Sequence, residues 1–489
     1  MKAIDRLPVV VFSLCAGLSL GLSLINAWFW PLVFLGTILS FWVIYQVKSP
    51  RSAFFHGWLI GILKILLSLL WFWSVYPVDW LGLKPGPFHI MLVLIYWVPA
   101  ALTLGVGIGC MFYLVKKYVY TWQNKVVQWV TVSVMWVLAE FFGAIVFSIY
   151  TLGPGSGITP GFSFGHTGYA LAEHGLLLNA ALFGGVYTLS FLVACISYLV
   201  FCIPRQYIQY VVFVVAVSAF TPPLLSQGTL TGTQVALVET DFAAPTEHRN
   251  LPYEERWRIH SGYIQAALSS GSDIIVLPED IRLSTWFTGP EDIFAYLKEL
   301  TDKDVIIIDS VRAVDIDKTV QRAYIYDTKT QTRYAFDKQY LVPQGEYVPY
   351  VYQLLINMLD PSGFLAEAIS DTSYAPGILQ STVDMPDSVP PVLFCFESVT
   401  PFGVKKALEN HPKATFVAHI VSHAWFKREP EIMWHQLDAM LRIQAVYNRI
   451  PILQAANKTS IKVYLPNGRI KIPAIIDSGS RWKVGVVNL

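Results

Sequence analysis

The sequence predicts two parts of different fold class, a multi-span α-helical membrane domain over residues 1–227 and a mixed α/β domain over residues 228–489. Charge separates them, since only 14 of the 69 Asp, Glu, Lys and Arg residues precede residue 228. Hydrophobic periodicity separates them too, because long apolar blocks give way there to short apolar runs between amphipathic stretches. A hydrophobic content of 54% is also too high for an ordinary soluble protein.

Seven apolar segments are each close to the ~20 residues that cross a bilayer, or longer. They cover residues 8–26, 29–47, 54–76, 88–115, 126–149, 176–203 and 207–226. With a cytoplasmic N-terminus, eight Lys and Arg residues fall on the inside, and only Lys84 falls on an outside loop before residue 228. This distribution obeys the positive-inside rule, and it predicts an extracytoplasmic α/β domain.

Two charged residues lie inside these apolar segments. Lys64 stands in "GILKILL" and Glu140 in "VLAEFFG". Charges at membrane depth are costly, so they either serve a function or pair with each other. The net charge of +1 and the absence of a basic tract give no reason to expect a nucleic-acid partner.

Nine short apolar runs after residue 228 predict β-strands, several of them buried on both faces. The runs are 233–240, 272–279, 303–310, 322–328, 390–397, 414–421, 451–457, 460–466 and 483–489. Amphipathic patterns predict helices over 253–271, 289–301 and 429–448.

Three predicted strands end near residues that together suit acyl transfer. Glu279 follows "IIVLP", Lys338 follows "YAFD", and Cys395, alone among the five cysteines in the polar half, follows "VLF". A carboxylate can take the thiol proton, the thiolate can attack a carbonyl, and an ammonium can stabilise the resulting oxyanion. Taken singly, Glu279 could instead cap a helix, Lys338 could be solvated and Cys395 could be core.

The same three segments resemble the Glu-Lys-Cys signature of the nitrilase (carbon-nitrogen hydrolase) superfamily. With a multi-span part before them, they resemble the bacterial apolipoprotein N-acyltransferases. "KQYLVPQGEYVP" (338–349) is similar to that family's segment around its lysine, and "CFES" (395–398) stands where the family has Cys-Tyr-Glu. Residues 422–459, from "SHAWF" to "ANKT", also resemble a family stretch.

This resemblance implies an αββα sandwich and a two-step reaction. Cys395 would take a fatty acyl chain from a membrane phospholipid as a thioester. It would then pass the chain to the N-terminal amine of a diacylglyceryl-cysteine lipoprotein. Glu279 would be the general base, and Lys338 would stabilise the oxyanion and, as a nearby cation, favour the Cys395 thiolate. No metal or organic cofactor is implied. The implied location is the bacterial inner membrane, with the catalytic domain on the periplasmic side.

Supporting roles also follow from the resemblance. Glu346 matches a second carboxylate that orients Lys338 or the substrate amine. Phe396 and Glu397 match the residues beside the nucleophile, where their backbone could supply oxyanion donors. Glu397 is also expected to form part of the pocket wall. The pair Trp425 and Phe426 matches aromatic residues near the pocket, although core packing explains such a pair equally well.

The sequence departs from the family pattern in a few places. His423 stands where the family has Asn-Asp, which puts the acceptor specificity in question. The apolar segment 347–378 corresponds to a family arm that meets the bilayer, or else it is an ordinary buried helix pair. His423, Glu431 and His435 have no metal-binding spacing, so we expect no metal site there.

Two other functions remain open from the sequence alone. One is a membrane-tethered nitrilase-type amidase, in which water resolves the acyl-enzyme. The other is a nitrilase-like membrane component of a conjugal-transfer or secretion apparatus, in which the fold is kept as a scaffold.

Overall fold

The computed structural model describes residues 7–78, 86–226, 232–243, 251–315, 318–359, 373–377 and 385–489. In the described part up to residue 226, the chain forms a bundle of α-helices. These are α1 Leu7–Leu22, α2 Pro31–Gln46, α3 Pro50–Ser68, α4 Pro87–Lys117, α5 Lys125–Tyr150, α6 Gly175–Asn179, α7 Gly185–Cys202 and α8 Arg205–Phe220.

Several of these helices have the length and composition of membrane spans. The stretches long and apolar enough to cross a bilayer are Pro87–Thr121, Lys125–Tyr150 and Gly185–Cys202. Shorter apolar helices are Pro8–Leu22, Pro31–Gln46 and Arg205–Phe220. The number of seven spans and the division into residues 1–227 and 228–489 stay predictions, and the division itself falls outside the described residues.

Two predicted apolar segments are not continuous helices. Segment 54–76 stops being α-helical at Ser68 and continues as a 3₁₀ helix over Leu70–Val75. Segment 176–203 breaks at Gly184 and Gly185, and Gly185 has a φ of +60° that favours glycine. The first break turns the aromatic stretch after Ser68 toward the α/β half.

The bundle is closely packed where small residues face a neighbouring backbone. A Cβ atom on Gly107 of α4 would overlap the carbonyl oxygen of Ala139 in α5. A Cβ atom on Gly143 of α5 would overlap the carbonyl oxygen of Leu104 in α4. Glycine at these two positions therefore sets how closely α4 and α5 approach.

Lys64 and Glu140 form an ion pair inside the bundle. Lys64 Nζ donates to Glu140 Oε1 at 2.7 Å, and the two residues are only 2% and 6% exposed. The same carboxylate accepts from the Thr167 backbone N–H and from Ser190 Oγ, each at 2.7 Å. One buried carboxylate thus connects α3, α5, α7 and the turn that follows Ser163, which confirms that the two charges pair with each other.

The second half contains β-strands and further helices. The strands are β1 Gln234–Thr240, β2 Ile274–Val276, β3 Ile306–Asp315, β4 Lys318–Asp327, β5 Thr332–Asp337, β6 Val392–Phe394, β7 Val417–Ser422, β8 Ile452–Asn457, β9 Lys462–Tyr464, β10 Ile470–Lys471, β11 Ala474–Ser478 and β12 Trp482–Asn488. The helices are α9 Tyr253–Ser269, α10 Pro290–Leu300, α11 Tyr350–Leu359, α12 Gly403–Glu409 and α13 Glu431–Asn448.

The strands form two sheet halves that meet at β1. One half runs β2-β3-β4-β5, and the other contains β6 to β10 and reaches β1 through β8. Their inner faces share one core that includes Leu237, Ile308 and Phe394. Helices α9 and α10 cover the outer face of the first half, and α12 and α13 cover that of the second. The predicted αββα sandwich following a helical membrane part is therefore confirmed.

The two parts of the chain share a hydrophobic core. Met433, Leu437 and Met440 of α13 pack into the same buried cluster as the membrane helices. Gln436 Nε2 donates to the carbonyl oxygen of Ser68 at 2.7 Å, at the end of α3. The α/β half therefore lies directly on the interruption between α3 and the 3₁₀ helix.

We predict that Lys64→Met destabilises the protein by about 3–5 kcal/mol, because Glu140 would stay buried without its cation. Thermal unfolding in detergent micelles would show this as a lower Tm. Lys64→Met combined with Glu140→Gln should recover most of the loss, since the neutral amide oxygen can still accept from Thr167 N–H. A double variant no more stable than Lys64→Met would contradict the pairing argument.

Candidate functional site

Glu279 is positioned by the loop that leaves strand β2. Two residues in this loop, Asp280 and Arg282, have φ near +60°, and Arg282 binds the Asp280 carboxylate through two N–H groups at 2.6 and 2.8 Å. The loop is held from β3, where Ser310 Oγ accepts from Asp280 N–H at 2.7 Å. Asp309, not Glu279, caps the 3₁₀ turn that follows, by accepting from the Leu283 and Ser284 amides. The Glu279 carboxylate is therefore not used for capping and can take part in the candidate site.

Lys338 directly follows strand β5, and its ammonium lies between two carboxylates. Nζ donates to Glu279 Oε1 at 2.9 Å and to Glu346 Oε1 at 2.6 Å. Glu346 Oε2 also accepts from the Val342 backbone N–H at 2.8 Å, which fixes the lysine loop. Lys338 is only 1% exposed. The structure therefore brings Glu279, Lys338 and Glu346 together as one buried charged cluster.

Cys395 follows strand β6 and begins a 3₁₀ helix, Cys395–Val399. It borders the cavity that Glu279, Lys338 and Glu346 also line. Strand β6 pairs in parallel with β7, which places Cys395 beside the end of β7 at Ser422. The three residues that the sequence selected thus converge on one cavity, although they come from both halves of the sheet.

The pKa values of Glu279 and Lys338 are both raised in this cluster, but for different reasons. Burial is the main cause that raises the pKa of Glu279 to about 7, and the Glu346 carboxylate adds to it while Lys338 opposes it. Burial alone would lower the pKa of Lys338, but Glu279 and Glu346 raise it well above its usual value. At neutral pH the ammonium is charged, while Glu279 is poised to take up or release a proton.

The Cys395 thiol is held in its neutral form. Burial raises its pKa, the Glu279 and Glu346 carboxylates raise it further, and Lys338 and the Ser422 amide act in the opposite direction. The sequence led us to expect that Lys338 would favour the thiolate. Lys338 does act in that direction, but burial and the two carboxylates outweigh it. A reaction in which this sulfur attacked a carbonyl would therefore need a separate base to take the proton.

Glu397 connects the lysine and cysteine strands. Its Oε1 accepts from the Gln339 N–H at 2.8 Å, and its Oε2 accepts from the Phe394 N–H at 3.0 Å. Burial raises the pKa of Glu397 despite these hydrogen bonds. The side chain braces the backbone on either side of the site and does not line the cavity wall, where the sequence had suggested it.

The cavity has a volume of about 220 Å³ and is mostly apolar. The predicted residues Phe396, Trp425 and Phe426 line it, with Trp425 36% exposed. Aromatic residues of the membrane half that sequence reasoning missed also line it, among them Trp71, Phe72, Tyr96, Phe162 and Phe164. No motif marks them, although 162 and 164 lie in a glycine-rich segment that interrupts the spans.

His423 borders the same cavity in a fixed tautomer. Its Nδ1 accepts from Trp434 Nε1 at 2.8 Å, so a neutral ring carries its proton on Nε2. Burial lowers the pKa of His423 to about 3, which keeps the ring neutral. Within the described part of the chain, Nε2 is buried and has no hydrogen-bond partner.

The segment after the lysine is attached to the membrane helices. Tyr347 Oη donates to the carbonyl oxygen of Thr151 at 2.8 Å, and Tyr352 Oη donates to that of Ile95 at 3.0 Å. Helix α11 exposes Leu354 and Met358 at 62% and 71%. Of the predicted arm 347–378, residues 360–372 and 378 lie outside the described residues.

Metal binding has no support in the described ranges, where no group of three His, Cys, Asp or Glu residues could hold an ion. His435 instead faces Glu173, with Nδ1 3.9 Å from Oε1.

Comparison with known proteins covers both halves of the chain. The family model described as "Apolipoprotein N-acyltransferase N-terminal domain" matches residues 16–199. The apolipoprotein N-acyltransferase of Rickettsia prowazekii is 23% identical over 478 residues, which cover 94% of this chain and 88% of that protein. The apolipoprotein N-acyltransferase of Rhodopseudomonas palustris is 23% identical over 517 residues, which cover 96% and 89%.

A solved carbon-nitrogen hydrolase from Helicobacter pylori G27 aligns with 53% of this chain and 90% of its own, at 12% identity and a TM-score of 0.34. The family match in the helical half and the relatives that align with most of the chain together confirm the resemblance to the bacterial apolipoprotein N-acyltransferases.

Proposed function

We propose that this chain transfers a fatty acyl chain from a membrane phospholipid, through a thioester on Cys395, to the N-terminal amine of a diacylglyceryl lipoprotein. The relatives' names support lipoprotein N-acylation in general. The observation that carries the mechanism is the cavity itself, in which Glu279, Lys338 and Cys395 face aromatic side chains of the membrane half. Such a cavity suits a reaction whose acyl group is apolar and whose reacting atoms are polar.

In the first step, Glu279 takes the thiol proton as the Cys395 sulfur attacks the ester carbonyl of the phospholipid. The oxyanion that forms is stabilised by the Lys338 ammonium. When the intermediate collapses, the ester C–O bond breaks, and Glu279 returns the proton to the leaving alkoxide. The products are a lysophospholipid and an acyl thioester on Cys395.

In the second step, the lipoprotein amine attacks the thioester carbonyl and the C–S bond breaks. Glu279 takes one proton from the amine and passes it to the departing thiolate, which restores the starting enzyme. Glu346 acts as a positioning residue, since it holds Lys338 at 2.6 Å and fixes the lysine loop through Val342.

The apolar walls of the cavity favour a lipid donor over a small soluble amide. Burial of apolar acyl surface against Trp71, Phe162 and Phe164 contributes roughly 25 cal/mol for each Å² removed from water. A small amide would gain little from these walls. The amidase and scaffold alternatives therefore leave the aromatic lining without a purpose.

Three long apolar helices and the relatives in the family indicate a membrane protein. We place it in the bacterial inner membrane, with the site on the periplasmic side. In support, Lys116 and Lys125 stand at the ends of α4 and α5 that lie away from the cavity, while Tyr96 and Phe147 on the same helices line it. Basic residues mark the cytoplasmic side of membrane proteins.

We predict that the purified chain, incubated with phospholipid, gains a fatty-acyl mass that hydroxylamine removes. Intact-protein mass spectrometry measures this directly. Cys395→Ala should lack the adduct because the sulfur is gone, whereas Cys110→Ala, a matched control in the membrane half, should keep it. An adduct that persists in Cys395→Ala would remove the central claim.

We predict that thioester formation rises with pH through an inflection near 7, because Glu279 must be ionised to accept the proton. Below the inflection, the rate should fall about tenfold for each pH unit. Stopped assays of the acyl adduct between pH 5 and 8.5 would measure the profile.

The control for this profile is Glu346→Gln, which removes the neighbouring carboxylate that helps to raise the pKa of Glu279. Its inflection should move below that of the parent chain. An inflection that stays in place, or moves upward, would show that Glu279 is not the titrating group.

A further inference from the structure

A second cleft lies at the end of the membrane half that is remote from the candidate site. Its lining includes Tyr45, Tyr120, Lys125, Trp129, Tyr198 and Phe201, and its volume is about 500 Å³. These residues come from the end of α2, the beginning of α5, the end of α7 and the turn between α4 and α5. We refer to it as the basic-end cleft.

The basic-end cleft is separate from the cavity at Cys395. Lys125 begins α5, while Phe147 near the other end of α5 lines the Cys395 cavity. At 1.5 Å per residue, these two positions are about 33 Å apart along the helix. A molecule in the cleft therefore cannot be the one that reacts at Cys395.

The hydrogen bonds in the cleft leave the Tyr120 hydroxyl available to a ligand. Tyr198 Oη donates to Gln128 Oε1 at 3.0 Å, and Gln128 Nε2 donates to the Val119 carbonyl oxygen at 3.1 Å. The Tyr120 hydroxyl, by contrast, is buried and has no hydrogen-bond partner among the described residues. A buried hydroxyl without a partner is costly, and an acceptor oxygen in the cleft would remove that cost.

The cations around the cleft favour an acceptor that carries negative charge. In the described part of the chain, Lys125 has no ion pair, and its ammonium only meets Gln128 Oε1 at 3.4 Å. Lys116 donates to the Tyr45 carbonyl oxygen at 3.2 Å, so a second cation stands at the edge of the cleft. The described residues place Lys48, Arg51, Lys117 and Arg205 at this end of the bundle and no carboxylate.

The remaining walls are apolar, since Val126, Trp129, Leu199 and Phe201 form them. A cationic edge above an apolar wall matches an amphiphile with an anionic head. We propose that the basic-end cleft binds an anionic phospholipid, with its phosphate at Lys125 and Tyr120 and its acyl chain along Trp129 and Leu199. Among the described residues, the charged side chains at this end are all cations, which disfavours the amine of a zwitterionic headgroup.

The test uses the full chain in detergent micelles and phosphatidylglycerol that carries a photoactivatable diazirine on its acyl chain. After irradiation and digestion, mass spectrometry locates the cross-links. We expect cross-links at residues 126–129 and 199–202 that unlabelled phosphatidylglycerol competes away at least tenfold more effectively than phosphatidylcholine. Equal competition by the two lipids would overturn the proposal, as would the absence of cross-links at these residues.

Three variants separate binding in the cleft from general attraction to a basic surface. Lys125→Gln should lower the cross-link yield in the cleft about fivefold, and Tyr120→Phe about threefold. Lys117→Gln is the matched control, because Lys117 lies at the same end but packs over Tyr113 and Tyr118 outside the cleft. It should change the yield less than twofold, and a loss equal to that of Lys125→Gln would refute a specific site.

Cross-links near Trp71 and Phe162 report on the Cys395 cavity in the same digest. They should be unaffected by Lys125→Gln, so failure of this inference and failure of the proposed acyl transfer are distinguishable. If Lys125→Gln lowers the Tm of the chain, the cross-link yield of Tyr120→Phe decides whether the cleft binds the lipid, since this variant removes only a hydroxyl group.

Discussion

The buried ammonium of Lys338 is the interaction on which the site depends. A cation removed from water must be matched by negative charge, and here Glu279 and Glu346 provide it at 2.9 and 2.6 Å. Two carboxylates for one cation leave an excess of negative charge in a low-dielectric space. That excess is part of the reason that Glu279 titrates near neutrality and that the Cys395 thiol keeps its proton. The proton affinities of the proposed base and the proposed nucleophile are thus set in part by the same three charges.

The fold explains why those charges meet. Glu279 and Lys338 leave strands of one sheet half, and Cys395 leaves a strand of the other, so the cavity forms where the halves join. Glu397 holds the two sides in register through backbone amides at Gln339 and Phe394. The aromatic residues of the membrane half then close the cavity and provide its apolar walls. In the proposed reaction, the polar reacting groups and the apolar walls of the cavity therefore come from different parts of the chain.

Much of the polar half could be predicted from the sequence, because short apolar runs followed by chemically active residues are typical of strand ends. The end of strand β5 before Lys338 was predicted, whereas β10 and β11 were missed because β10 has only two residues and β11 is exposed on every residue. The break after Ser68 was missed because the apolar run continues unbroken through it. The partnership of His423 with Trp434 joins a strand end to a helix and has no periodic signal. The protonation of Cys395 depends on burial, which no residue pattern reports.

The shared core between the two halves has a consequence for how the chain assembles. Met433, Leu437 and Met440 would be exposed to water until α13 rests on the membrane helices. Since synthesis proceeds from the N-terminus, the bundle is inserted before α13 leaves the ribosome. The α/β half therefore completes its folding against a surface that already exists, and the bilayer-embedded part acts as its template. A catalytic half made alone would keep an apolar face that favours aggregation.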